Sequence, residues 1–509
     1  MRYLGKVFLI CTVLTIVVPF MNLFAEDQVG LTEKVVPFPM PEINAPDKQI
    51  FLESMAISPD SEHIAYVCKN AGKLFVSQDG KKGTSYDTIQ QGTPVFSLDS
   101  KQVIYVARKG AKWCLVVNNR EYKAYDNVTI PVMSLDGKRM AYVARVKVDQ
   151  NKSKVFVVLD NKEQKAYDLV LSKNPNTLIF SPDSTHFSYI ALMQKEKKMV
   201  VVSDGIEGKH YEAVMASVYS PDSKHLAYGA FENKKAFIVK DNVELERYEQ
   251  IGIFSFSPDS NHITYTIKEG TKWALVYDGK KGPLYDDVGA PRFSNDSKHL
   301  AYNVINNKKK KMIMDGKQVG SEYDEIEFFN ISPDSKQLVF TAKKGNKWFL
   351  VKDGIEGPAY DIVSFPAYSP DSKHITYMVQ QDMKAFMVRD GKKGSLYEQV
   401  MIPIYSPDSN RLSYIAKKEG KWVMVLDEKE SRKYDSIAYP TFSDDSKHFV
   451  YLAMNNNEWK VVVDGKEGKE KFVGFLKGSR IVFTSPNQFH ILAVRPGPVF
   501  VNVNVKFGG

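Results

Sequence analysis

From about residue 50 onward, the chain consists of short stretches in which apolar and polar residues alternate, separated by residues that favour turns. Two such stretches are residues 291–294 (Pro-Arg-Phe-Ser) and 299–302 (His-Leu-Ala-Tyr), and a third type starts at a Lys-Trp pair, as in residues 272–277. Alternation over four to eight residues is typical of a half-buried β-strand. No segment after residue 25 keeps the period of an amphipathic helix, so the pattern predicts an all-β protein.

The predicted strands belong to twelve copies of one unit. The consensus of the copies is Ser-Pro-Asp-Ser-x-His-Leu-Ala-Tyr, in which Pro and Asp favour a tight turn between strands a and b. Strand c ends at Asp-Gly, which is a two-residue hairpin signal, and strand d ends at Tyr-Asp. Four antiparallel strands in about 37–40 residues are the signature of a β-propeller blade. The first serines of the copies, which serve as anchors, are Ser58, Ser97, Ser134, Ser181, Ser220, Ser257, Ser294, Ser332, Ser369, Ser406, Ser443 and Ser485.

Strand b supports the blade interpretation, because a small residue and a large one are adjacent in it, as in Ala301 and Tyr302. Adjacent residues of a strand point to opposite faces of the sheet. Each blade should therefore present a small face to one neighbour and a large face to the other. Such a wedge suits sheets that pack around a ring.

The core Ser-Pro-Asp-Ser-x-x-Leu-Ala-Tyr, seen in full at residues 220–228, resembles the WD40-like PD40 repeat of TolB-type β-propellers. The resemblance covers about residues 50 to 505. It implies a propeller that binds proteins or gates the substrates of a peptidase. The Lys-Trp and Tyr-Asp elements are not part of that core. Together with Asp-Gly they are weakly similar to the bacterial WG repeat.

Twelve blades exceed the four to eight that propellers usually have in one ring. We therefore expect two tandem six-bladed propellers, at residues 51–290 and 291–509. One large ring is the alternative, because the even spacing from Ser220 to Ser443 contains no linker. The last copy lacks its own strand d. The N-terminal segment 26–50 could supply it through Leu31 to Phe38 and so close the ring.

The first 25 residues have the features of an export signal. Arg2 and Lys6 precede an apolar stretch at residues 7–20, and Ala25 precedes an acidic pair. This order is typical of a cleaved signal peptide and predicts a periplasmic or extracellular protein. An uncleaved N-terminal helix that tethers the protein to a membrane is the alternative. No integral membrane domain is expected after removal of the signal, and nucleic acid is not an expected partner of an exported protein.

Residues that could carry chemistry recur at fixed places in the repeat, which favours a structural role. The five tryptophans start strand c, and Cys68 and Cys114 are expected to be buried free thiols. The sequence contains no nucleophile elbow, no His-Glu-x-x-His, no phosphate-binding loop and no Cys-x-x-Cys. We therefore predict a protein that is not an enzyme and has no catalytic, metal or cofactor site. Eight of the nine histidines lie five residues after an anchor: His63, His186, His225, His262, His299, His374, His448 and His490.

The lysine-rich b–c turns are not required by the fold and are the predicted partner-binding site. They should form a basic rim on one face of the ring, which suits an anionic partner, as does the formal net charge of +9. We expect a scaffold that binds protein of the cell envelope. The alternatives are a carbohydrate or cell-wall binding module for anionic polysaccharide, and an enzyme with its site in the central channel. The predicted rim consists of Lys195, Lys197, Lys198, Lys308, Lys309, Lys310, Lys311, Lys343, Lys344, Lys417 and Lys418.

Overall fold

The computed structural model describes residues 31–39, 49–149, 152–172, 177–497 and 499–508. These residues form twelve antiparallel sheets of four or five strands and no helix. Among them there is consequently no helix that could cross a membrane. The predicted signal peptide, residues 1–25, lies outside the described residues.

Each sheet is one blade with its strands in the order a, b, c, d. Strand a is split into two short pieces in six blades, which gives those sheets a fifth strand. The a strands of blades 1 to 12 are Gln49–Ile57; Thr88–Ile89 and Val95–Phe96; Asn127–Val128 and Val132–Met133; Leu169–Val170 and Leu178–Phe180; Ala213–Tyr219; Gln250–Phe256; Asp287–Val288 and Arg292–Phe293; Glu325–Ile331; Ile362–Tyr368; Gln399–Val400 and Ile404–Tyr405; Ser436–Phe442; Gly474–Phe475 and Val482–Ser485. The b strands are Ile64–Asn70, Val103–Lys109, Met140–Lys147, Phe187–Met193, Leu226–Glu232, Ile263–Glu269, Leu300–Asn306, Leu338–Lys344, Ile375–Gln381, Leu412–Lys418, Phe449–Asn455 and Gln488–Arg495.

Strands c are regular, whereas strands d are mostly short and continue as an isolated bridge between the repeat tyrosine and the start of strand c. The c strands are Lys73–Gln78, Lys112–Val117, Ser153–Leu159, Lys198–Ser203, Lys235–Lys240, Lys272–Tyr277, Lys309–Met314, Lys347–Lys352, Lys384–Arg389, Lys421–Leu426, Glu458–Val463 and Val499–Phe507. The d strands are Lys81–Tyr86, Arg120–Glu121, Lys162–Glu163, Ile206–Glu207, Val243–Glu244, Lys280–Lys281, Lys317–Tyr323, Ile355–Glu356, Lys392–Lys393, Lys429–Glu430, Lys466–Glu467 and, for blade 12, Leu31–Pro37.

The two faces of strand b pack against different neighbours, as the sequence predicts. Ala65 of blade 1 lies in the apolar cluster shared with blade 2, whereas the adjacent Tyr66 lies in the cluster shared with blade 12. Both side chains are fully buried. The core of the protein is therefore a series of interfaces between blades, each combining a small face with a large one.

The twelve blades form one closed ring. Leu275 of blade 6 packs with Leu300 and Tyr302 of blade 7, so the ring continues across residue 290. Leu492 of blade 12 packs with Tyr66 of blade 1, which closes the circle. The expectation of two six-bladed propellers is therefore wrong, and the alternative of a single large ring is correct.

The N-terminal strand completes blade 12 as its outer strand d. It pairs antiparallel with strand c of that blade over seven residues, from Leu31 opposite Phe507 to Pro37 opposite Val501. Leu31 and Val35 point towards the apolar cluster between blades 11 and 12. The structure thus places residues 31–37 where the sequence suggests a ring-closing strand.

The Ser-Pro-Asp-Ser turns join neighbouring blades by hydrogen bonds. The backbone N–H of the motif aspartate donates to the hydroxyl of the second motif serine in the next blade, at 2.9–3.1 Å. Between blades 12 and 1 the N–H of Arg480 donates to the Ser61 hydroxyl at 3.0 Å. The donor and acceptor pairs are Asp60 and Ser100, Asp136 and Ser184, Asp183 and Ser223, Asp222 and Ser260, Asp259 and Ser297, Asp296 and Ser335, Asp334 and Ser372, Asp371 and Ser409, and Asp408 and Ser446.

Replacing one of these serines should destabilise the ring measurably. In Ser260→Ala the N–H of Asp222 loses the buried hydroxyl that accepts its hydrogen bond, which should lower the free energy of unfolding by about 1 kcal/mol. Chemical denaturation measures this change. Ser85→Ala is the control, because Ser85 is exposed on strand d of blade 1. Equal effects in the two variants would contradict a specific role for the bond between blades.

Candidate functional site

The repeated histidines join the start of strand b to the end of strand c in their own blade. In seven blades the histidine Nδ1 lies 2.6–2.9 Å from a carboxylate oxygen of the aspartate that ends strand c. The other oxygen of that aspartate accepts the N–H of the residue after the histidine, as Asp278 does from Ile263 at 2.9 Å. In two further blades Arg139 and Arg411 take the place of histidine. These side chains are therefore structural elements of the repeat, as expected from their regular spacing.

The motif aspartates are also occupied within the repeat. The Ser220 hydroxyl and the Lys224 amide both donate to Asp222 and lower the pKa of its carboxyl group to about 2. Among the described residues one group, Asp60, Glu62 and His63, is close enough to hold a cation. Within it, Asp60 Oδ1 accepts hydrogen bonds from Ser58 and Glu62, and His63 Nδ1 contacts Asp79.

Most lysines of the predicted basic rim have a carboxylate partner. Lys310 contacts Glu325 at 2.6 Å, Lys311 contacts Glu322 at 2.6 Å, and four more make equivalent pairs. The rim is therefore largely charge-balanced. The remaining pairs are Lys198 with Glu232, Lys309 with Asp324, Lys344 with Glu356, and Lys418 with Glu430.

The other rim lysines differ in their surroundings. The ammonium groups of Lys343 and Lys417 lie 5.9 and 5.7 Å from the ring centres of Trp348 and Trp422. The remaining three, Lys195, Lys197 and Lys308, are exposed in the b–c turns of blades 4 and 7. Exposed lysine charge is thus concentrated at fewer positions than the eleven of the predicted rim.

The tyrosine and acidic residue at the end of strand d link successive blades near this rim. The Tyr125 hydroxyl donates to Glu163 of the next blade at 2.8 Å, and burial, followed by this contact, raises the pKa of Tyr125. The Asp126 carboxylate accepts hydrogen bonds from the Lys112 ammonium group and from the backbone N–H of Lys147, both at 2.8 Å. Since Lys147 is also in the next blade, these acidic groups serve the assembly of the ring.

The tryptophans and cysteines are packing residues. All five tryptophans are half-buried at the start of strand c, and cations lie over the rings of four of them. Cys68 and Cys114 are buried free thiols, as predicted. Burial raises their pKa values to about 12 and about 11, so both remain protonated near neutral pH.

The inner wall of the ring is formed by the a strands. These edge strands approach one another in neighbouring blades: the Asn330 amide donates to the carbonyl of Pro366 at 2.8 Å, and the rings of Phe328 and Phe365 are 4.7 Å apart. Packed sheets lie roughly 10 Å apart, so twelve inner strands enclose a circle of roughly 30–40 Å in diameter. Side chains from opposite sides of such a circle cannot meet. The ring therefore has a wide central opening.

Apolar side chains are exposed on this inner wall. In several blades the pairing of strands a and b shifts register, for example between Ile326 and Phe329 and between Ser364 and Ala367. Large apolar residues near these shifts, or where strand a is interrupted, are 36–58% exposed. They are Leu52, Ile130, Met215, Ile253, Phe328, Met401, Ile402 and Tyr439.

The inner-wall residues are absent from the sequence prediction, although the sequence contains a signal for them. Ile130, Ile253, Phe328, Ile402 and Tyr439 all lie four residues before an anchor serine. In a regular strand a, the position four residues before the anchor would be buried or exposed according to the alternation of the two faces of the sheet. The register shift overrides the alternation, and only a comparison of this position across all copies reveals the apolar preference.

Comparisons with known proteins return solved structures of low overall similarity. No family model and no curated protein matches the chain. Similar solved structures include TolB from Acinetobacter baumannii, with 14% identity, a TM-score of 0.23, and coverage of 50% of this chain and 81% of that chain. Two others are the β-propeller domain of the Trilobed protease from Pyrococcus furiosus (13% identity, TM-score 0.26, coverage 53% and 94%) and the Dos1 propeller (11%, 0.28, 58% and 94%). The likeness concerns the fold alone, and by its own twelve sheets the chain is a β-propeller.

Proposed function

We propose that this chain is an exported propeller of the PD40 repeat type that is not an enzyme and binds protein of the cell envelope. The observation that carries the proposal is a contrast between two sets of side chains: polar residues that bond within the ring, and apolar residues that are exposed on it. The histidines, aspartates and serines of the repeat are engaged in bonds within and between blades. Eight of the exposed large apolar residues, in contrast, lie along the central opening. Exposed apolar surface of this kind marks sites of protein–protein contact.

The alternatives have less support from the side chains. An enzyme in the central channel requires converging acid–base groups, whereas the repeated histidines bond to aspartates at the c–d turns. A carbohydrate module requires open aromatic faces, whereas Lys343 and Lys417 lie over Trp348 and Trp422. A protein-binding function, in contrast, uses the exposed apolar residues along the central opening.

A capture experiment tests this function. The full-length protein, immobilised and exposed to native envelope extract, should retain a small set of proteins that soluble protein competes away. Lys195→Ser, Lys197→Ser and Lys308→Ser combined test the rim, because ion pairs at an exposed rim weaken in about 0.5 M salt. Loss of retention in this variant and in salt assigns binding to the rim. Retention of polysaccharide without any competed protein would overturn the scaffold proposal in favour of the carbohydrate module.

A further inference from the structure

Apolar residues of the inner wall follow one another on three successive blades. They are Phe328 in blade 8, Phe365 in blade 9, and Met401 and Ile402 in blade 10; we call them the inner arc. Phe328, Met401 and Ile402 are 39%, 48% and 58% exposed, and the Phe365 ring contacts that of Phe328. An isolated exposed apolar residue needs no explanation, but a row of them across neighbouring blades indicates a contact surface.

The chemistry of the arc favours an apolar partner surface. Ser364, Pro366 and Pro403 lie between its members, so blades 9 and 10 contribute no charged side chain there. A charged ligand would lose its hydration at this place without gaining a partner. The exposed Glu327 borders the arc beside Phe328. The complementary surface is therefore apolar at its centre and carries a cation at its edge.

The backbone of the arc argues against recognition by strand addition. Pro366 and Pro403 have no N–H group to offer, and the register shift next to Phe365 interrupts the regular edge of strand a. Proline and bulges are the features by which sheet edges avoid pairing with another strand. Recognition must then occur through side chains, as when an apolar helix face packs into a groove.

The position of the arc limits what can reach it. A second copy of this ring cannot enter an opening that is narrower than the ring itself. An α-helix with its side chains is about 10–12 Å wide and fits the opening easily.

Resting on the proposed protein-binding function, we propose that the inner arc docks an amphipathic helix of the partner protein. The apolar face of the helix packs on Phe328, Phe365, Met401 and Ile402. A lysine or arginine at the border of that face pairs with Glu327. The closed ring thereby holds its partner from inside the central opening.

A designed helical peptide tests the inference. The probe is a fluorescent amphipathic helix with a leucine face and lysine flanks, compared with the same helix carrying glutamate flanks. Fluorescence anisotropy should show binding of the lysine form, although the protein itself has a formal net charge of +9 and does not attract cations generally. Phe328→Ser, Met401→Ser and Ile402→Ser combined should weaken binding at least about tenfold. Glu327→Gln should reduce the preference for lysine over glutamate flanks.

The control removes apolar residues of greater exposure from another edge of the sheets. Ile206, Val243 and Ile355 lie in d strands at 74%, 63% and 76% exposure, so their replacement by serine should leave peptide binding unchanged. Equal loss in both triple variants would overturn the inference. So would binding that appears only in a chain beginning at residue 31, since the arc would then be covered by the chain's own N-terminus.

Capture from envelope extract separates this inference from the broader function. If the inner-arc variant captures the same protein as the unchanged chain, the arc is not the docking site but the scaffold function stands. If the unchanged chain captures no competed protein, the scaffold function itself fails. Loss of both peptide and captured protein in the arc variant alone supports both proposals.

Discussion

Deleting residues 31–37 should lower the melting temperature by roughly 10 °C, the largest change expected from any short deletion in this chain. The deletion removes the whole outer strand of blade 12 and its seven-residue pairing with strand c. It also uncovers one edge of the cluster that contains Val503, Val505 and Phe507. In a closed ring this loss affects two interfaces at once, because blade 12 contacts both blade 11 and blade 1. Calorimetry or thermal scanning fluorimetry measures the shift.

Two substitutions separate the packing of this strand from its length. Val35 points towards the cluster between blades 11 and 12, whereas the adjacent Lys34 is exposed. Val35→Asp places a charge against apolar side chains and should reproduce much of the deletion effect. Lys34→Asp should have little effect. An unchanged melting temperature in both Val35→Asp and the deletion would mean that residues 31–37 do not close the ring.

The blades could be predicted from sequence because each repeat encodes its own turns and faces. The Pro-Asp and Asp-Gly turns fix where strands end, and the Ala-Tyr pair of strand b fixes which face meets which neighbour. The number of blades per ring is different. The number of blades depends on the angle between neighbouring sheets, summed over all interfaces. No single residue of the repeat determines this angle. A linker near residue 290 would have indicated two rings, but Leu275 packs with Leu300 as at any other interface.

The candidate site was harder to predict from sequence, because it too depends on how the blades pack together. The lysines of the b–c turns are visible as a composition pattern, but their carboxylate partners come from other strands or from the next blade, as for Lys198 and Glu232. Pairs of this kind depend on the assembled ring. The inner arc depends on register shifts in strand a, which turn residues such as Phe328 towards the opening. Both features arise from packing between elements rather than from local sequence.

The ring-closing strand carries an unusual buried carboxyl group. Glu33 accepts a hydrogen bond from the N–H of Glu470 at 2.8 Å through Oε2, while Oε1 is buried with no hydrogen-bond partner among the described residues. A β-carbon at Gly468 would overlap this carboxylate, so glycine provides the space for it. Burial raises the pKa of Glu33 to about 7, although Lys460 and Arg495 lower it in part. These two cations are themselves paired with Glu467 and Glu470.

Stability of the closed ring should therefore fall as the pH rises from about 4.5 to 7 by an amount that depends on Glu33. In this range the unfolded chain releases the proton, whereas the folded chain retains it, so folding is favoured most on the acid side. The full difference is about 3 kcal/mol before screening by solvent reduces it. Glu33→Gln keeps a neutral acceptor for the N–H of Glu470 and removes the titration. At pH 8 it should be more stable than the unchanged protein, and near pH 4.5 the two should be equal. Urea unfolding across this range tests the prediction, and a constant difference between the two proteins at all pH values would contradict it.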